Sequence, residues 1–246
     1  MPAPRPVALV TGSARRIGAA IARRLHAEGH DLALHYRGGA GEMQALAREL
    51  EATRADSVLT LQADLAEFDH LPELVARTVG RFGRLDALVN NASTFHPTRL
   101  GEATPQQWDE LFASNARAPF FLAQAAAPHL KASQGAIVNL TDIYAERPLR
   151  DHPLYCMAKA ALVMATKSLA LELAPDVRVN AIAPGAILWA ENETSESKQQ
   201  AMLARTPLAR TGTPEEIAEA VHWLLHGATY TTGQVLRVDG GRMLAG

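Results

Sequence analysis

Short runs of apolar and β-branched residues alternate along the chain with longer stretches whose apolar residues recur every three or four positions. Residues 7–11, bounded by Pro6 and Gly12, predict a first strand. A helix is predicted over 16–28, with Ile17, Ala20, Ile21 and Leu25 on one face and Gly29 as its stop. The same alternation predicts strands over 32–36, 57–62, 87–90, 136–140, 177–182 and 235–238, and helices over 42–53, 71–82, 159–173 and 215–225. A long helical region separates the strands at 87–90 and 136–140. Its first helix starts with Thr104 as cap and Pro105 at the first helical position, and Thr213-Pro214 opens the last helix in the same way. Strands alternating with helices imply right-handed βαβ units. The expected fold is therefore α/β: a single doubly wound Rossmann-type domain over 1–246 with a mainly parallel seven-stranded sheet. Residues 1–5 are expected to be flexible, and the irregular stretch 185–206 to form a loop or lid over a substrate.

Composition narrows the partners. The formal net charge is −2 and basic residues form no tract, which argues against nucleic acid and against an anionic membrane surface. Cys156 is the only cysteine, so no intrachain disulfide or cysteine-based metal cluster is possible. Residues 1–6 lack the apolar core of a signal peptide, and no stretch is read as approaching the ~20 apolar residues of a membrane helix. A cytoplasmic location is the expectation, so the sequon at Asn192 reads as a polar loop. His96, His152 and the other histidines lack metal-ligand spacing, and no metal is expected.

The segment from Thr11 to Gly18 leaves the first strand and opens the first helix. Gly12 suits a turn that other residues resist, and Gly18 lets the helix approach the sheet closely. Backbone N–H groups at such a helix start suit a pyrophosphate. The turn departs from G-x-G-x-x-G, because Ala14 stands at the second glycine. At the end of the second strand, His35-Tyr36-Arg37 carries no acid to bind ribose hydroxyls. Arg37 is instead placed to grip a 2′-phosphate, which favours NADPH over NADH. Asp64-Leu65 follows the third strand, where Asp64 serves either the adenine amino group or the cap of the next helix.

Tyr155 and Lys159 are four residues apart and so share a helix face. An ammonium beside a phenol favours the phenolate, and with a cationic nicotinamide it would bring Tyr155 below its usual value near 10. The ordered set Thr11-Gly12…Gly18, Asp64-Leu65, Asn90-Asn91-Ala92, Asn115, Tyr155…Lys159, Pro184-Gly185 and Val238-Asp239-Gly240-Gly241 resembles the short-chain dehydrogenase/reductases along nearly the whole chain. The resemblance implies that Asn115 takes part in a water-linked proton relay to Lys159. It implies too that Asn90, Asn91, Ala92, Ile17, Pro184 and Gly185 line the cofactor site, and that two long helices build a homotetramer.

Three departures from the general family pattern are informative. Arg16 and Ser93 stand where the family usually has glycine, and Asp142 stands where it has a catalytic serine, thirteen residues before Tyr155. The same departures, with Phe95, are similar to the pteridine reductase subgroup. That resemblance implies an NADPH-dependent reductase of a dihydropterin or dihydrofolate. Phe95 would stack on the substrate, Arg16 and Ser93 would contact it, and Tyr155 and Asp142 would organise protonation. An ionised Asp142 relaying protons from solvent is expected, and Trp189 is placed on the lid. The rival readings are a carbonyl reductase acting on a 3-oxoacyl thioester, and a non-catalytic NADP-sensing protein on the same fold.

Overall fold

A computed structural model of the chain describes residues 5–187 and 196–245. Seven strands form one sheet in the order β3-β2-β1-β4-β5-β6-β7, and every adjacent pair is parallel. The strands are β1 Val7–Val10, β2 Asp31–Tyr36, β3 Val58–Gln62, β4 Ala87–Asn90, β5 Ala136–Leu140, β6 Arg178–Pro184 and β7 Val235–Val238. Helices α1 Arg16–Ala27, α2 Ala40–Thr53 and α8 Pro214–His226 cover one face. The other face carries α3 His70–Phe82, α5 Ala118–Ser133 and α6 Pro153–Leu173. Strands β1, β4 and β5 are buried along their whole length, which is why they read as nearly continuous apolar runs rather than alternating ones. Strand order reverses at the β1–β4 pair, and the carboxyl ends of these strands open into the cleft where a doubly wound sheet binds ligands.

Both Thr-Pro helix starts form as read. Thr104 and Thr213 each close a capping box, with Gln107 and Glu216 respectively. Elsewhere the boundaries move. Helix α6 begins at Pro153, six residues before the predicted start, because Pro153 at its first turn has no N–H to satisfy. The long region after α4 Pro105–Phe112 is broken by a π-helical turn, Ala113–Arg117, before α5 resumes. The stretch read as irregular contains α7, Glu196–Leu203. By length and composition α6 is apolar enough to cross a membrane, contrary to the sequence reading, although half of that window is buried. Its apolar residues serve the core between α5 and β6, with Leu162, Leu169 and Leu173 buried.

Candidate active site

The phosphate turn is built by close approach. Gly12 adopts φ +62°, and a Cβ on it would lie 2.8 Å from the Ala92 backbone. A Cβ on Gly18 would lie 2.2 Å from the Gly12 carbonyl, so no other residue fits there without moving the turn. Asn91 donates its side-chain amide to the carbonyls of Thr11 and Gly12, both at 2.9 Å, and so holds the turn from β4. Arg16 takes φ +53°, a left-handed backbone that explains a glycine at this position elsewhere in the family.

These residues form one wall of a cleft of about 550 Å³. Tyr36 and Arg37 line its far end, and Asp64 and Leu65 close the side beyond β3, with Ala92 and Ser93 opposite. Asp64 does not cap α3, which starts at His70. It accepts from the Ala66 N–H at 2.9 Å and lies 3.9 Å from Arg37. Asn90 turns away from the cleft into the sheet and donates to Asn139 at 2.8 Å, contrary to its expected place in the cofactor lining.

A second hollow of about 190 Å³ adjoins the first, and Arg16, Ile17, Asn91 and Ser93 line both. Here Asp142, Tyr155 and Lys159 come together with Pro184 and Gly185. Asp142 follows β5 and caps a 3-10 turn, Ile143–Ala145. One oxygen accepts from the Tyr144 N–H at 2.9 Å, and the other accepts from the Tyr155 hydroxyl at 2.7 Å. Lys159, one turn along α6, donates to the Leu140 carbonyl at 2.9 Å with its ammonium 5.7 Å from the Tyr155 ring centre. Gly185 lies against Asp239, where a Cβ would meet its backbone at 2.7 Å; this is how the Val238–Gly241 motif abuts the site.

Burial shifts both Tyr155 and Asp142 upward, whereas the lowering expected for Tyr155 draws on a cationic nicotinamide as well as on Lys159. Burial, then the charge of Asp142 and the bond to it, hold the Tyr155 phenol well above its ordinary value, with the Ser93 hydroxyl opposing. Lys159 is itself pushed down to about 8 by burial, against the pull of Asp142. Burial also raises Asp142 above its ordinary value, and the Tyr144 N–H, Tyr155 and Lys159 offset this only in part.

Asn115 sits in the π-helical turn, fully buried. Its amide donates to the carbonyls of Thr94 and Leu111, both at 2.9 Å, and its oxygen accepts from the Ser93 hydroxyl at 2.7 Å. Asn115 therefore positions Ser93, and it makes no direct bond to Lys159 among the described residues. Phe95 is 51 % exposed, stacked on His152 at 4.5 Å and edge-on to Tyr155 at 4.8 Å. Trp189 lies outside the described residues. The sequence reading named His35 only as part of the strand end and missed Thr94, Ser114 and Thr141; all four line the two hollows. Only a fold-level placement of the strand ends finds them, since none stands in a spaced motif.

A family model described as enoyl-(acyl carrier protein) reductase matches residues 12–242. Pteridine reductase 1 of Leishmania tarentolae is 37 % identical, over 97 % of this chain and 96 % of its own. The 3-oxoacyl-(acyl-carrier-protein) reductase FabG of Staphylococcus aureus is also 37 % identical, over 95 % of this chain and 96 % of its own. The chain belongs to the short-chain dehydrogenase/reductase family. It is an oxidoreductase dependent on a nicotinamide nucleotide, as that family is.

Proposed function

We propose that the protein reduces a pterin, a dihydropterin or dihydrofolate, to the tetrahydro form with NADPH. One observation carries the reading: the Asp142 carboxylate accepts the Tyr155 hydroxyl at 2.7 Å inside the site. Reducing a C=N bond needs a hydride at carbon and a proton at nitrogen. The bound dinucleotide supplies the hydride. The residues around it fit such a ligand, because the Gly12–Gly18 cradle leaves no room for a Cβ and Arg37 offers a guanidinium to a 2′-phosphate.

The remaining work falls to this chain. Tyr155 presents a hydroxyl proton held in place by Asp142, and it passes that proton to the substrate nitrogen. Asp142, raised by burial, then takes up a proton from solvent and passes it back to Tyr155. Lys159 fixes the geometry from the adjacent helical turn and is placed to bind the nicotinamide ribose. Asn115 keeps Ser93 against Tyr155 and acts on Lys159 through water. Phe95, backed by His152, offers its ring to a flat heterocycle, with Arg16 and Ser93 at the rim.

A 3-oxoacyl thioester is the second reading, favoured by the equal identity to the FabG relative. NADPH oxidation followed at 340 nm with dihydrobiopterin, dihydrofolate and an acetoacetyl thioester separates the two. Turnover of either pterin above the thioester supports the proposal, and the reverse order overturns it. We also propose a homotetramer. Trp108, Phe120 and Leu171 stand exposed on α4, α5 and α6, and light scattering on the purified protein reads the mass directly.

A further inference from the structure

His35 lies at the strand end that faces the cofactor, yet it is only 1 % exposed. The Gly12 N–H donates to its Nδ1 at 3.2 Å, and its Nε2 lies 3.1 Å from the Ala63 carbonyl. A carbonyl only accepts, so Nε2 carries the ring proton and Nδ1 is bare. The His35 carbonyl also accepts from both the backbone N–H and the hydroxyl of Ser13, at 2.9 and 3.0 Å. One residue therefore grips two successive positions of the phosphate turn and, through its ring, the end of β3 just before Asp64.

We propose that His35 is a positioning residue for the dinucleotide, a neutral imidazole strut that sets the distance between the phosphate turn and the adenine side of the cleft before the ligand enters. The proposal rests on the dinucleotide reading of the cleft and not on the pterin substrate. Gly12 holds a left-handed backbone against Ala92, so its N–H has one fixed direction, and the ring meets it there. An apolar side chain would leave that N–H and the Ala63 carbonyl unpaired. A doubly protonated ring would set one N–H against another. Burial pushes His35 down to about 4, with the Ala63 bond and the charge of Asp64 opposing, and Asp64 is itself 3.9 Å from Arg37. The ring is thus neutral wherever the enzyme works.

The test measures the NADP⁺ dissociation constant by calorimetry for the wild type, His35→Leu and His35→Asn, with the melting temperature of each. Nitrogen-15 spectra of the wild-type imidazoles are recorded with and without NADP⁺. The strut predicts binding weakened by about tenfold or more in His35→Leu, and largely restored in His35→Asn, which supplies a donor and an acceptor. It also predicts one histidine ring that remains the Nε2–H tautomer between about pH 5.5 and 8. A folded His35→Leu protein that binds within about twofold of wild type overturns the proposal alone. So does a His35 ring that titrates near its free value, a readout that stands even if the leucine variant does not fold. Failure of the wild type to bind either NADP⁺ or NAD⁺ would instead remove the dinucleotide reading beneath it.

Discussion

At the scale of single residues, Asp142 uses both oxygens, one to shape the turn after β5 and one to hold the Tyr155 hydroxyl. A serine there would offer a single oxygen to both partners and carry no charge. Tyr155→Phe should therefore lower kcat by about 10²–10⁴-fold while leaving the NADP⁺ dissociation constant nearly unchanged, as steady-state rates and calorimetry would show. Lys159 illustrates the opposite balance, a function that costs stability. Its value is depressed to about 8 in the fold, so the buried ammonium is a penalty that is full below pH 8 and fades as pH rises toward the unfolded value of 10.5. Lys159→Met should be inactive yet more stable at pH 7 by up to about 3 kcal/mol, less the unpaired Leu140 carbonyl. Urea unfolding at pH 7 and pH 10 checks this, and the gain must shrink at the higher pH.

At the scale of elements, the site hangs on turns rather than on helix interiors. Gly18→Ala would drive a Cβ into the Gly12 carbonyl, and we expect a loss of about 1–3 kcal/mol together with cofactor binding weakened more than tenfold. Thr213→Ala is its control. It removes the cap of α8, a helix none of whose residues lines either hollow, and should cost about 1 kcal/mol in thermal unfolding with unchanged kcat/KM. The same contrast explains what the sequence made legible. Apolar runs broken by a single Asn, such as residues 87–90 and 136–140, mark buried parallel strands, and Thr-Pro pairs mark helix starts, because both signals are local. The π-helical turn at Asn115 was not legible, since its amide bonds the Thr94 carbonyl, 21 residues back and near only in the folded chain. Nor was the raised Tyr155. A spacing of four residues shows that Lys159 is adjacent, but not that its ammonium is directed at the Leu140 carbonyl.

For the whole molecule, two buried histidines on opposite sides of β2 tie the fold to neutral pH. His30 and His35 are each pushed down to about 4, chiefly by burial. The unfolded chain takes up these protons near 6.5, so stability is fully present above that pH and drains as pH falls toward 4, by about 3 kcal/mol for each ring. Below 4 the contribution is flat. Unfolding free energies measured between pH 7 and 4 should show this slope, and it should lessen in His30→Gln. Assembly through α4, α5 and α6 would leave this seam untouched, because His30 packs against His226 on the other face of the sheet.

On the proposed function, Asp142 commits this family member to a ring nitrogen rather than a carbonyl oxygen. The most direct measurement is kcat/KM for dihydrobiopterin and for an acetoacetyl thioester, in the wild type and in Asp142→Ser. The account predicts that the wild type prefers the pterin and that the serine variant loses about 10²-fold or more on it without a matching loss on the thioester. A wild type that prefers the thioester, or a serine variant that reduces the pterin as fast as its parent, would contradict it.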